Sequence, residues 1–362
     1  MSMNREQVMQ QLATVMDPEL HRDIVSLNMV KKVEVSNGTV DLIVELTTPA
    51  CPLKDTIEQD VRSALGKLDG FEELKLEFTA DVRRASPQQA AATNNPLPGV
   101  KHIIAVGAGK GGVGKSTISV NVAVGLSRAG ATTGLLDGDI YGPSAPTLLG
   151  LGNEEPRVTS DNMFIPFAKH GIHSMTIGKM VESDKPLIWR GPMAHGAFRQ
   201  LATQTEWGEL DYLIIDLPPG TGDVPLTMSQ LLPLTGAVVV CTPQKVAQDD
   251  AVRAIGMFRQ LQIKVLGVVE NMSYFIGDDG KEYDIFGRGG AEEMARNMDV
   301  PFLGAVPINM ALRFNSDAGD PTANFEKDDQ LATELENVVK NLAGRISIEA
   351  LSGEQGPTLS VS

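Results

Sequence analysis

The sequence predicts an α/β protein: a small N-terminal α+β domain followed by a doubly wound domain built on a mostly parallel sheet. Three observations lead there. From Lys101 onward six short apolar runs, HIIAVG, TTGLLD, DYLIID, GAVVVCT, KVLGVVE and FLGAV, alternate with helix-length segments. Strands buried on both faces of a sheet read as such near-continuous apolar runs. The first run leads directly into the glycine-rich stretch GAGKGGVGKST at 107–117. Before residue 85 the pattern differs, with alternating strands and amphipathic helices.

Taken in order, Val8, Leu12, Val15 and Met16 form a helical stripe that stops at Asp17-Pro18. Val40, Leu42, Val44 and Leu46 alternate as a half-buried strand does. Ile57, Val61, Ala64, Leu65 and Leu68 mark a second amphipathic helix, and Leu74, Leu76 and Phe78 another strand. These elements define a domain over residues 1–84. Residues 85–99, ASPQQAAATNNPLPG, are rich in Pro, Ala, Asn and Gln without an apolar period, so they read as a linker. The second domain spans 100–342, and residues 343–362 read as a disordered tail.

Bulk properties narrow the function. A formal net charge of −15 disfavours nucleic acid and anionic membrane as partners. No apolar run approaches the roughly 20 residues needed to cross a bilayer. The first residues lack the apolar block of a signal peptide, and the protein is expected in the cytoplasm. Only Cys51 and Cys241 carry thiols, which excludes a disulfide framework and disfavours a self-contained cysteine-rich metal site.

Residues 109–116, GKGGVGKS, fit G-x-x-x-x-G-K-S between an apolar strand and a helix candidate, the context that gives this motif its meaning. The domain is therefore of the P-loop NTPase type. Gly109, Lys110, Gly111, Gly112, Val113 and Gly114 supply backbone N–H groups that converge on phosphate oxygens at a helix N-terminus. Lys115 reaches the β- and γ-phosphates, and the Ser116 hydroxyl holds Mg²⁺. Asp216 ends the strand DYLIID at the Walker-B position for Mg²⁺, and Pro218-Pro219-Gly220 turns next to it. Asp137 and Asp139 in LLDGDIYGPS follow the second strand; either could polarise the attacking water or contact Mg²⁺.

KGGVGKST with its second lysine, DGDIYGPS, WRGPM, DLPPGTGD and VVENMSYF together resemble the deviant-Walker-A ATPases, and more narrowly the Mrp/ApbC family of iron–sulfur cluster carriers. DPEL, DIVSLNMV and LTTPACPLKD resemble the SufT/PaaD-like domain found at the N-terminus of many bacterial members. The resemblance implies a homodimer closing over two ATP molecules, hydrolysis of ATP, and delivery of clusters to client apoproteins alongside other iron–sulfur assembly proteins. It implies that Lys110 reaches across to the partner's phosphates and that Thr117 contacts the α-phosphate. It further implies that Asp139 assists hydrolysis and that Asn271 reads adenine.

The family shares a [4Fe–4S] cluster between protomers through a Cys-x-x-Cys pair after the ENMS motif. Here no cysteine stands between Asn271 and Gly290, and soft thiolates are what such a cluster needs. Cys51, just before an amphipathic helix and matching the cysteine of the SufT/PaaD-like domain, is the remaining candidate ligand. Cys241 reads as a packing residue of a buried strand. The alternative function is an ATP-dependent regulatory or scaffold protein that binds no cluster. A positioning ATPase of the MinD/ParA type would need a basic amphipathic tail or basic patches, which the C-terminal sequence does not supply.

Overall fold

The computed structural model describes residues 3–18, 20, 22–82, 95–180, 191–220, 222–277, 279–326 and 330–352. The chain divides into two units, Met1–Arg83 with Ala343–Ser362, and Arg84–Leu342.

In the first unit α1 (Arg5–Leu12) opens with a capping box: Asn4 Oδ1 accepts from the Gln7 N–H, and Gln7 Oε1 accepts from the Asn4 N–H. The apolar stripe ends sooner than its spacing predicts. Val15 stays buried, but Met16 is 47% exposed in a two-residue strand that pairs with Arg22–Asp23. The Asp17 carboxylate accepts the Leu20 N–H, and this turn replaces further helix. β1 (Val30–Ser36) and β2 (Thr39–Leu46) form a hairpin through Asn37-Gly38, both with φ > 0 as a type I′ turn requires. α2 (Lys54–Leu65) then crosses over so that β3 (Glu73–Ala80) lies parallel to β2. β2 buries every second residue, and Val40, Leu42, Val44 and Leu46 meet Ile57, Val61 and Leu65 of α2 in one core.

The second unit runs β4 (Val100–Gly107), α3 (Lys115–Arg128), β5 (Thr133–Asp137), α4 (Ala145–Leu148), β6 (Phe167–Lys169), β7 (Ile172–Thr176), α5 (Gly191–Thr203), β8 (Leu210–Asp216), α6 (Asp223–Leu231), β9 (Gly236–Cys241), α7 (Lys245–Gln260), β10 (Val265–Ile276), β11 (Glu282–Tyr283), α8 (Gly290–Asn297), β12 (Phe302–Ile308), α9 (Met310–Ala318) and α10 (Gln330–Ser352), whose residues from Ala343 on belong to the first unit. Among the described residues these strands make a nine-stranded sheet ordered β6-β7-β5-β8-β4-β9-β10-β11, with β12 also on β10. The six apolar runs are the parallel centre. The β6–β7 and β10–β11 pairs at the margins are antiparallel.

Side chains alternate across this sheet. Ile103, Ala105, Leu213, Ile215, Ala237 and Val239 join one core with residues of α5 to α8. α3 packs on β5 and β8 and is buried nearly all round, from Ile118 to Leu126. Apolar residues on every side suit such a helix, and the buried Ser119 and Asn121 within it are hydrogen-bonded. A Cβ on Gly125 would lie 2.5 Å from Val339 Cγ2, so glycine there lets α10 approach α3. Register places Asp216 opposite both Asp137 and Val106, which aligns the ends of β5, β8 and β4 at the carboxyl edge.

Two expectations about connecting segments change. Of the linker 85–99, residues 85–94 lie outside the described residues, while Leu97 is buried and its N–H is accepted by Asn95 Oδ1. The tail expected from residue 343 is corrected over 343–352, which continue α10. Ala343, Ile346, Ser347 and Ala350 are buried at helical spacing, and that apolar face holds the helix. Residues 353–362 lie outside the described residues. No helix among the described residues is long and apolar enough to cross a membrane.

Candidate nucleotide site

The phosphate loop leaves β4 at Gly107 and enters α3 at Lys115. Two of its glycines are required by geometry. Gly114 has φ +80°, and a Cβ there would sit 2.1 Å from Asn271 Nδ2; a Cβ on Gly109 would sit 2.1 Å from the Asp250 carbonyl. The loop thus passes close under its neighbours with its N–H groups and the first turn of α3 left to face an anion.

Lys115 is 6% exposed. Its Nζ donates to Asp216 Oδ1 at 2.7 Å, lies 3.3 Å from Ser116 Oγ and stands 3.9 Å from Asp139 Oδ2. Ser119 Oγ is within hydrogen-bond distance of both Asp216 Oδ1 and the Lys115 carbonyl. Asp137 lies buried beside this group. Its carboxylate accepts the Ala145 N–H at 3.0 Å, the Thr176 hydroxyl at 3.1 Å and the Asp139 N–H at 3.2 Å. One ammonium therefore faces three buried carboxylates. Burial, then the Asp216 charge, holds the Asp137 carboxyl well above the usual carboxylate range. Asp139 is raised too: burial drives it up, Lys115 opposes and Asp216 adds to it.

That surplus of hard oxygen donors beside the Ser116 hydroxyl suits Mg²⁺, which takes one or two protein oxygens and shares the rest with phosphate and water. Among the described residues no group of three or more His, Cys, Asp or Glu is arranged to hold a metal by itself. An open depression of about 490 Å³ adjoins the cluster, lined by Asp139, Tyr141, Gly142, Pro218, Pro219, Gly222 and Val224. The Pro-Pro turn is tied to the phosphate loop, since the Leu217 N–H donates to the Val106 carbonyl and the Gly220 N–H to the Ala108 carbonyl.

The structure thus brings Lys115, Ser116, Asp139 and Asp216 together. It commits Asp137, which the sequence leaves open between two roles, to backbone and hydroxyl donors. Lys110 is half-buried, and no ion pair is found for it among the described residues. Thr117 is half-buried in the first turn of α3, where its carbonyl accepts from Asn121. Asn271 is 3% exposed and gives its amide to the Val113 carbonyl at 2.8 Å.

Glu270, next to it, was not foreseen. Wholly buried, it accepts the Gly289 and Ala291 N–H groups and the Ser273 hydroxyl, capping α8 and closing the segment that follows β10. An acidic residue inside the apolar run KVLGVVE is the sequence signal for such a role, because a buried carboxylate needs donors.

The thiols separate. Cys51 is half-buried against the core of the first unit, three residues ahead of α2. Cys241 is 1% exposed, and burial followed by the Glu270 charge pushes its thiol up to about 12. One chain therefore offers no thiolate set for a resident cluster.

A family model described as NUBPL iron-transfer P-loop NTPase matches residues 99–343, and a second, iron-sulfur cluster assembly protein, matches residues 5–77. An iron-sulfur cluster carrier protein of Deinococcus radiodurans is 49% identical over 351 residues, covering 96% of this chain and 98% of the relative. The protein of that name in Escherichia coli is 40% identical, covering 82% of this chain and 84% of its own length. Among solved structures, a nucleotide-binding protein from Archaeoglobus fulgidus in complex with ADP has a TM-score of 0.57 at 38% identity, over 68% of this chain and 96% of that one. The cell division ATPase MinD of Pyrococcus furiosus, with a TM-score of 0.50 at 19% identity over 66% of this chain and 97% of that one, shares the fold.

Proposed function

The chain belongs to the NUBPL iron-transfer P-loop NTPases, and from that premise we propose that it is a cytoplasmic, ATP-hydrolysing carrier that delivers iron–sulfur clusters to apoproteins. The observation that carries this reading is likeness through both units to relatives named as cluster carriers. The cluster is cargo on this view, held between protomers or with a client.

The site's residues divide the work of hydrolysis. The loop N–H groups and Lys115 hold the β- and γ-phosphates, and Thr117 contacts the α-phosphate. Ser116 and Asp216 would hold Mg²⁺, which would supply charge neutralisation at the phosphates. Asp139, whose carboxyl is pushed up from the usual carboxylate range by burial, orients the attacking water. Lys110 completes the site of the partner in a homodimer, as an arginine finger does elsewhere.

A second reading, an ATP-dependent scaffold without a cluster, is favoured by the lack of any cysteine between Asn271 and Gly290. Anaerobic reconstitution with iron and sulfide separates the two. Near-stoichiometric iron and acid-labile sulfide in the wild type, lost in Cys51→Ser, is the expected result. Intact ATPase activity without uptake would leave the scaffold, and equal uptake by both proteins would remove Cys51 as ligand.

A further inference from the structure

The contact made by Asn271 points to a role beside recognition of the base, since it engages one N–H of an amide that keeps a second N–H and an oxygen. Its Nδ2 donates to the Val113 carbonyl, which lies between Gly112 at φ +81° and Gly114 at φ +80°. The bond fixes the peptide at which the phosphate loop turns into α3. In a planar trans peptide the carbonyl and the following N–H point in opposite directions. With the Val113 carbonyl held by Asn271, the Gly114 N–H is aimed away from Asn271. The same contact explains the residue at 114, since a Cβ there would meet Asn271 Nδ2 at 2.1 Å.

Asn271 is itself held in place. Its neighbour Glu270 is anchored by Gly289, Ala291 and Ser273. Met272 follows at φ +55°, within an irregularity of register between β10 and β12 that spans Asn271 to Phe275. A regular strand would turn every second side chain to the same face; the irregularity frees Asn271 from that rule.

We propose that Asn271 is a positioning residue that orients the Val113–Gly114 peptide and so prepares the loop for the phosphates of the nucleotide. This rests on the nucleotide reading above, and its failure is separable from that reading's. The test is equilibrium binding of ATP, GTP and inorganic triphosphate, each with Mg²⁺, to the full chain as wild type, Asn271→Asp and Asn271→Ala.

Aspartate keeps the shape and the oxygen that a base amino group would use, but not the donor that Val113 needs. Both variants are expected to weaken all three ligands, inorganic triphosphate included, by a factor of about ten. Wild-type affinity for ATP in Asn271→Asp would overturn the proposal. So would loss of ATP alone in Asn271→Ala with triphosphate retained. Circular dichroism on each variant separates either result from misfolding, and the isosteric aspartate keeps the test open if alanine does not fold. A wild type that binds none of the three ligands would instead overturn the nucleotide reading itself.

Discussion

At the inner end of the phosphate loop Lys115 is buried, its ammonium 2.7 Å from Asp216 and 3.9 Å from Asp139. At the outer end Lys110 is half-buried, and no ion pair is found for it among the described residues. Two lysines of one loop thus differ in what their charge is already doing. That of Lys115 offsets a group of buried carboxylates, so fold and chemistry depend on it together. That of Lys110 is locally uncommitted, which suits a group whose partner is a ligand. The motif lysine therefore cannot be altered without disturbing the site, whereas the additional lysine can.

The sharpest way to break this contrast is Lys115→Ala. Removing one member of a buried ion pair typically costs about 3–5 kcal/mol because the remaining charge is stranded. The variant is expected to lose that order of stability in urea unfolding, along with nucleotide binding and at least about a thousandfold in hydrolysis. Wild-type stability in that variant would show that Asp216 does not depend on it.

Lys110→Ala should separate the two properties. Its unfolding midpoint is expected to stay close to wild type, within about 0.5 kcal/mol, as for surface substitutions. ATP affinity should change less than about threefold, while hydrolysis falls about a thousandfold if Lys110 acts as a trans-acting finger does. Steady-state kinetics with calorimetry checks both, and normal turnover would remove the trans role.

How far this site could be read in advance depended on the kind of pattern each part leaves. The six central strands are wholly buried runs, and a run of buried apolar residues survives any local context. β1 was missed because its apolar residues are interleaved with Lys, Glu and Ser, and the β6–β7 pair because its strands are short and carry Lys, His and Ser. The apolar face of α10 past residue 343 was hidden by the polar composition of the residues beyond it. Lys115, Ser116, Asp139 and Asp216 were legible because motif spacing fixes them on a loop and two strand ends.

The partners of Asn271 and Glu270 were not legible in the same way. Val113 lies 158 residues from Asn271, and Gly289 lies 19 from Glu270. Contacts set by topology leave no period in the chain. Ser119 was missed for a related reason: only the packing of α3 against β8 brings its hydroxyl to Asp216.

The smallest effect in this comparison is read at a thiol. Cys241, at the end of β9, feels the Lys110 charge, which opposes the rise caused by burial and Glu270. Only a thiolate attacks an alkylating agent. With its thiol pushed up to about 12, Cys241 is ionised at pH 8 in about one molecule in ten thousand. Folded protein treated with iodoacetamide at pH 8 is therefore expected to take one label per chain, on Cys51, and two after denaturation, as peptide mapping would record. Lys110→Ala removes a cation that lowers the Cys241 thiol, so the variant should be no more reactive there than the wild type. Labelling of Cys241 at a rate matching Cys51 would mean that the end of β9 opens to solvent, and its burial would then be transient.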